Sequence, residues 1–161
     1  MKNSVYVYST QDYGLTQVLE YNGLFGTEIA VYGDSLLAVG APDDNLVYIF
    51  EYSANSWKLQ SMITDDDAPS GANFGISIAL DDLVLAVGAS GNNTAYVYER
   101  NGTEWNEVAH LRPTGEISAN VLVFGSSIAV IPGVHTVIVG NYLEPSAPTA
   151  DKKDAGTVIL K

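Results

Sequence analysis

Crowded carboxylates are the first side chains that could do chemistry here: Asp43 and Asp44, the run Asp65, Asp66 and Asp67, and further on Glu144 beside Tyr142. Grouped carboxylates can hold a cation, share a proton transfer or accept hydrogen bonds from a polyhydroxylated ligand. A calcium site needs roughly six to eight oxygen ligands at about 2.3–2.6 Å. The Asp65–Asp67 run fails the EF-hand pattern because its third ligand position falls on Pro69. Glycoside hydrolysis needs two carboxylates facing across a fixed gap, but with 19 acidic residues some pair meets any spacing by chance. His110 and His135 have no second histidine at metal-ligand spacing, and no HExxH occurs. The serines of GISIA and GSSIA lack the second glycine of a nucleophile elbow, and neither common phosphate-loop pattern is present.

These residues therefore read as ligand contacts rather than catalysts, and the chain is expected not to be an enzyme. The ligand-binding set is Asp43, Asp44, Asp65, Asp66, Asp67, Tyr142 and Glu144. Its bland counterpart is a solvated acidic rim that keeps an apolar chain in solution. No metal ligands and no cofactor are assigned.

Net charge narrows the partners. Nineteen acidic against 7 basic residues give -12 at pH 7. A surface of that sign repels phosphate backbones and anionic lipid, which excludes nucleic acid and the membrane surface as leading partners. A protein or glycan ligand fits better. With 161 residues and 47% hydrophobic composition the chain can fill a core. Cysteine is absent, so neither a disulfide framework nor a thiolate site exists. MKNSVYVYSTQDYG has no signal-peptide core and no apolar run reaches a membrane span, so insertion is not expected.

What positions the acids is a repeat. Residues 25–42 read FGTEIAVYGDSLLAVGAP, residues 74–90 read FGISIALDDLVLAVGAS, and a third version begins at 124 as FGSSIAVIPGVHTVIVGN. The Phe-Gly pairs are 49 and 50 residues apart. Each unit resolves into strands. A small, β-branched strand (TEIAVY, ISIAL, SSIAVI) meets turn residues (Gly33-Asp34, Asp81-Asp82, Pro132-Gly133). The next strand, SLLAVGA, LVLAVGA or TVIVG, is almost wholly apolar, as in a strand buried on both faces. Third come LVYIFEY and TAYVYER, whose alternation predicts one buried and one wetter face; the fourth strands begin at Trp57 and Trp105. SVYVYS and LTQVLEY repeat the third and fourth, GTVILK the third, and helix should be nearly absent.

Four antiparallel strands per unit of this length indicate an all-β chain of β-propeller-type blades, about three and a quarter of them. The divisions are 1–24 as a partial blade, 25–73 and 74–123 as whole blades, and 124–161 as a second partial blade. Either the chain is the remainder of a longer propeller or copies join as a homo-oligomer. Gly26, Gly75 and Gly125 are expected where backbone approaches backbone, with each preceding phenylalanine wedged between blades.

Phe-Gly, Ile-Ala and Leu-Ala-Val-Gly-Ala-Pro (37–42), followed by VYIF and AYVY and then Trp57 and Trp105, resemble the FG-GAP repeat of integrin α-subunits and of bacterial and algal surface proteins. The resemblance implies a propeller used extracellularly or at the cell surface for adhesion or ligand recognition. The family's calcium loop is not carried over, because GD, DD or PGVH stands at its place.

In such a meander the longer second-to-third and inter-blade loops share one face, the expected recognition face. The alternatives are a carbohydrate-binding lectin propeller and a structural unit joined through open blade edges. An inter-blade aromatic beside paired Asp or Asn would favour the lectin; association through SVYVYS or GTVILK would favour assembly.

Overall fold

The computed structural model describes residues 1–65, 69–113, 123–134 and 136–141, with the backbone of 158–159. Four antiparallel sheets follow one another along the chain. The first is the hairpin β1 (Asn3–Tyr8) and β2 (Leu15–Tyr21). The second is a four-stranded meander of β3 (Ile29–Tyr32), β4 (Leu36–Ala41), β5 (Leu46–Ser53) and β6 (Ser56–Thr64). The third repeats it with β7 (Phe74–Leu80), β8 (Val84–Ala89), β9 (Thr94–Asn101) and β10 (Glu104–Leu111), and the fourth joins β11 (Ser127–Ile131), β12 (Thr136–Gly140) and β13 (Val158–Ile159). Among the described residues the helical segments are two single 3-10 turns, Pro42–Asp44 and Ser90–Asn92, each between a second and a third strand.

The sheets stack face against face, so the second and third strands of the whole blades serve two cores at once. Leu37 and Val39 of β4 pack with Val5, Leu19 and Phe25, while their neighbours Leu36 and Ala38 pack with Phe74, Leu85 and Val87 of the next sheet. A further core joins Val84 and Ala86 to Phe124, Val137 and Val139. That is why β4 and β8 are buried at every position. The same argument corrects the reading of the third strands: Val47, Tyr48, Ile49 and Phe50 are all buried, as are Ala95 to Tyr98. Tyr48 and Phe50 face the preceding blade and Val47 and Ile49 the following one. In β1 the expected alternation does appear, with Val5 buried and Tyr6 and Tyr8 exposed.

Phe25, Phe74 and Phe124 are 3%, 0% and 0% exposed, each wedged into a different inter-blade core. Burial of such a ring stabilises by about 1.5–3 kcal/mol. The glycine after each wedge has positive φ, +93° at Gly26, +92° at Gly75 and +82° at Gly125, a region open to glycine at no steric cost. The close approach is also real: a side chain on Gly40 would collide with the carbonyl oxygen of Gly75, and one on Gly88 with that of Gly125.

A second repeated device was not foreseen. Asn45 and Asn93 end the two 3-10 turns in the left-handed conformation, φ +50° and +54°. Their Oδ1 atoms accept the backbone N–H of Phe74 and Phe124 at 3.1 and 3.2 Å. Each turn therefore fastens the wedge of the next blade.

Candidate functional site

On the long-loop face the structure separates the predicted acids. Asp43 and Asp44 are exposed on the first 3-10 turn. Asp44 lies against Gly23 at the first blade junction, and the Tyr48 hydroxyl is pushed above the ordinary phenol range by burial and then by the Asp44 charge. Asp65 belongs to the second junction. It is half-buried and hydrogen-bonded to the hydroxyl of Tyr96, to which Asn92 Nδ2 also donates at 3.3 Å. Burial first and Asp65 second push the Tyr96 hydroxyl upward. Asp66, Asp67, Tyr142 and Glu144 lie outside the described residues. Among the described residues no three His, Asp or Glu side chains converge as a metal would require.

His110 has local company. Its ring pairs with Glu107 three residues away and lies edge-on to Tyr96 at 4.9 Å. The Tyr98 hydroxyl is held well above the phenol range, chiefly by burial and then by the Glu107 and Asp65 charges. These groups brace the flank of the second junction.

The opposite face, carrying the first-to-second and third-to-fourth turns, holds an open cleft of about 540 Å3 at the first junction. Its walls are aromatic and polar: Val7, Ser9 and Gln17 from the β1–β2 hairpin, Asp34 from the β3–β4 turn, and Tyr52, Asn55 and Trp57 around the β5–β6 turn. Tyr52 and Trp57 pair directly across the two strands, with ring centroids 5.1 Å apart and planes at 56°. Gln17 spans the junction with both ends of its amide. Nε2 donates to Trp57 O and Oε1 accepts from Trp57 N, each at 2.8 Å. The side chain thus behaves as a strand would, fixing the backbone that carries the indole.

The hairpin lip is equally braced. Ser9 N donates to Gly14 O at 2.9 Å, Gln11 N to Ser9 Oγ at 3.1 Å and Gly14 N to Asp12 Oδ1 at 3.1 Å. The bond from Ser9 and then that from Gly14 hold the Asp12 carboxyl below its usual range.

Repeat equivalence explains why the cleft opens where it does. The outer strand pairs carry matching bulges, after Val7, after Ile49 and near Val108, which align Tyr8 with Phe50 and Tyr98. Tyr52 then corresponds to Arg100, opposite Trp105, and Ser9 corresponds to Glu51. At the second junction Arg100 reaches Glu51 at 3.8 Å and lies 5.9 Å over the Trp105 ring, so an ion pair backed by a cation–ring contact links the two blades there. At the first junction Ser9 and Tyr52 can form no such pair. The sequence did carry this signal, in two tryptophans at matching positions with unlike partners.

Residues 57–102 match the FG-GAP repeat, from Trp57 through β7, β8 and β9. The crystal structure of a protein from Lactobacillus plantarum superimposes over 98% of this chain with a TM-score of 0.60 at 12% identity. This chain spans half, 50%, of the length of that one. No curated protein matches it in sequence. The chain is an all-β array of propeller-type blades, of which residues 57–102 are similar to the FG-GAP repeat.

Proposed function

We propose that this chain is a non-enzymatic ligand-recognition or adhesion module of an extracellular or cell-surface protein, with the blade junctions as its contact points. One observation carries the reading: rigid repeat packing at the first junction leaves a cleft of about 540 Å3, within the roughly 300–1,000 Å3 of small-ligand sites, lined by rings and hydrogen-bonding groups. The exposed Asp43 and Asp44 on the other face form a second contact surface, suited to a basic group on a protein partner.

The test is binding without turnover. The immobilised chain is offered neutral oligosaccharides, basic peptides and acidic peptides, and each solution is then assayed for chemical change. Saturable retention with the probe recovered intact is expected. Failure to retain any class, or conversion of the probe, refutes it.

A further inference from the structure

Resting on the recognition reading, we infer that the cleft between the β1–β2 hairpin and the following blade takes a neutral saccharide, stacked on the Tyr52–Trp57 pair. Three features point to that chemistry. Among the described residues the only charged side chain lining the cleft is Asp34, so an anionic ligand finds no counter-charge there in a protein whose net charge is -12. Tyr52 is 41% exposed and Trp57 half-buried, so their rings offer apolar faces of the size of a pyranose C–H face. Around that platform stand side-chain hydroxyls and amides, Ser9, Thr10, Gln11 and Asn55, with the Asp34 carboxylate as a strong acceptor. A ligand with an apolar face and a hydroxyl rim satisfies both sets at once. A proline-rich peptide would use the rings but leave most of the rim without partners.

The cleft is also pre-organised. Gln17 fixes the Trp57 backbone through two bonds of 2.8 Å, and the hairpin lip is held by Ser9 and Asp12. Little side-chain and loop freedom remains to be lost on binding.

The experiment titrates neutral di- and trisaccharides into the chain by isothermal titration calorimetry, with a proline-rich peptide and a basic peptide as parallel probes. Two variants test the site. Trp57→Ala removes the platform, and Ser9→Glu with Tyr52→Arg rebuilds the ion pair that links the second junction. Saccharide binding that weakens about tenfold or more in both variants, with the ion-pair variant melting as the parent does, supports the inference; loss of one stacked ring is worth a change of that order. Saccharide binding unchanged in both variants moves the ligand elsewhere and overturns the site while leaving the recognition reading intact. Binding of the proline-rich peptide alone overturns the ligand class. Silence from every probe here and in the broader retention assay overturns both.

Discussion

The side-chain oxygen of Asn45 accepts the amide hydrogen of Phe74 at 3.1 Å across 29 residues of chain, and Asn93 does the same for Phe124 at 3.2 Å across 31. Each asparagine meets two demands, a left-handed backbone and an acceptor aimed at the next blade. Asn45→Gly keeps the first and removes the second, leaving a largely buried N–H without its partner. A loss of about 1–3 kcal/mol is expected by urea unfolding. Asn45→Asp keeps the acceptor and should lose well under half of that. Equal losses in the two variants would show that the hydrogen bond is not what fastens the blades.

Gly88 and Gly33 are expected to answer alanine very differently. A methyl on Gly88 meets the carbonyl of Gly125 and the hydroxyl of Ser77, itself bonded to that carbonyl at 2.7 Å. Backbone cannot yield there without parting two blades, so Gly88→Ala should cost about 3 kcal/mol or prevent folding. Gly33 sits in a turn with nothing within 4 Å of an added Cβ, but at φ +56°. Gly33→Ala should therefore cost only about 1 kcal/mol, from backbone strain alone. Thermal melts of the two variants decide whether the close approach between blades is as tight as the geometry states.

Alkaline pH should loosen the second junction through Tyr98. Burial, then the Glu107 and Asp65 charges, raise its hydroxyl above the ordinary phenol value, so the folded chain keeps a proton that the unfolded chain gives up. Below about pH 10 both states hold it and there is no dependence. Above that pH unfolding releases a proton and stability falls, on the order of 1 kcal/mol per pH unit for one such group. Tyr96 and Tyr48 shift the same way. Tyr98→Phe should show a shallower fall in melting temperature between about pH 9.5 and 11; an unchanged slope would remove Tyr98 from the account.

Repetition is what made the fold readable. Three Phe-Gly pairs fixed the phase of every strand, and LTQVLEY was placed at 15–21, where β2 lies. The wedge role of Phe74 and the tight backbone at Gly75 followed from residue type alone. The third strands were misjudged because Tyr48 and Tyr96 look amphipathic in sequence, whereas stacking buries both faces. The latch was invisible because Asn45 and Asn93 have the look of ordinary turn residues; the partner amide lies one blade away. For the candidate site, residue type marked exposed acids, but Asp65 is taken up by Tyr96. The cleft was missed because it arises from a difference between repeats, Tyr52 against Arg100 and Ser9 against Glu51, which matters only once the blades are stacked.

One strand edge bears on the assembly alternative. β1 pairs with β2 on one side, and among the described residues nothing pairs with its other edge. Its outer face carries Tyr6 and Tyr8, 56% and 58% exposed, at the positions where Tyr48 and Phe50 are 5% and 1% exposed in the next blade. An open edge beside an aromatic face is a template for pairing with another strand. The expected consequence is a weight-average mass, by light scattering, that rises with concentration above that of a 17.2 kDa monomer. Tyr6→Lys places a charge on that face without entering the cleft, and should shift association to roughly tenfold higher concentration. A mass equal to the monomer's at every concentration would mean that this edge does not join copies, leaving the assembly reading without its surface.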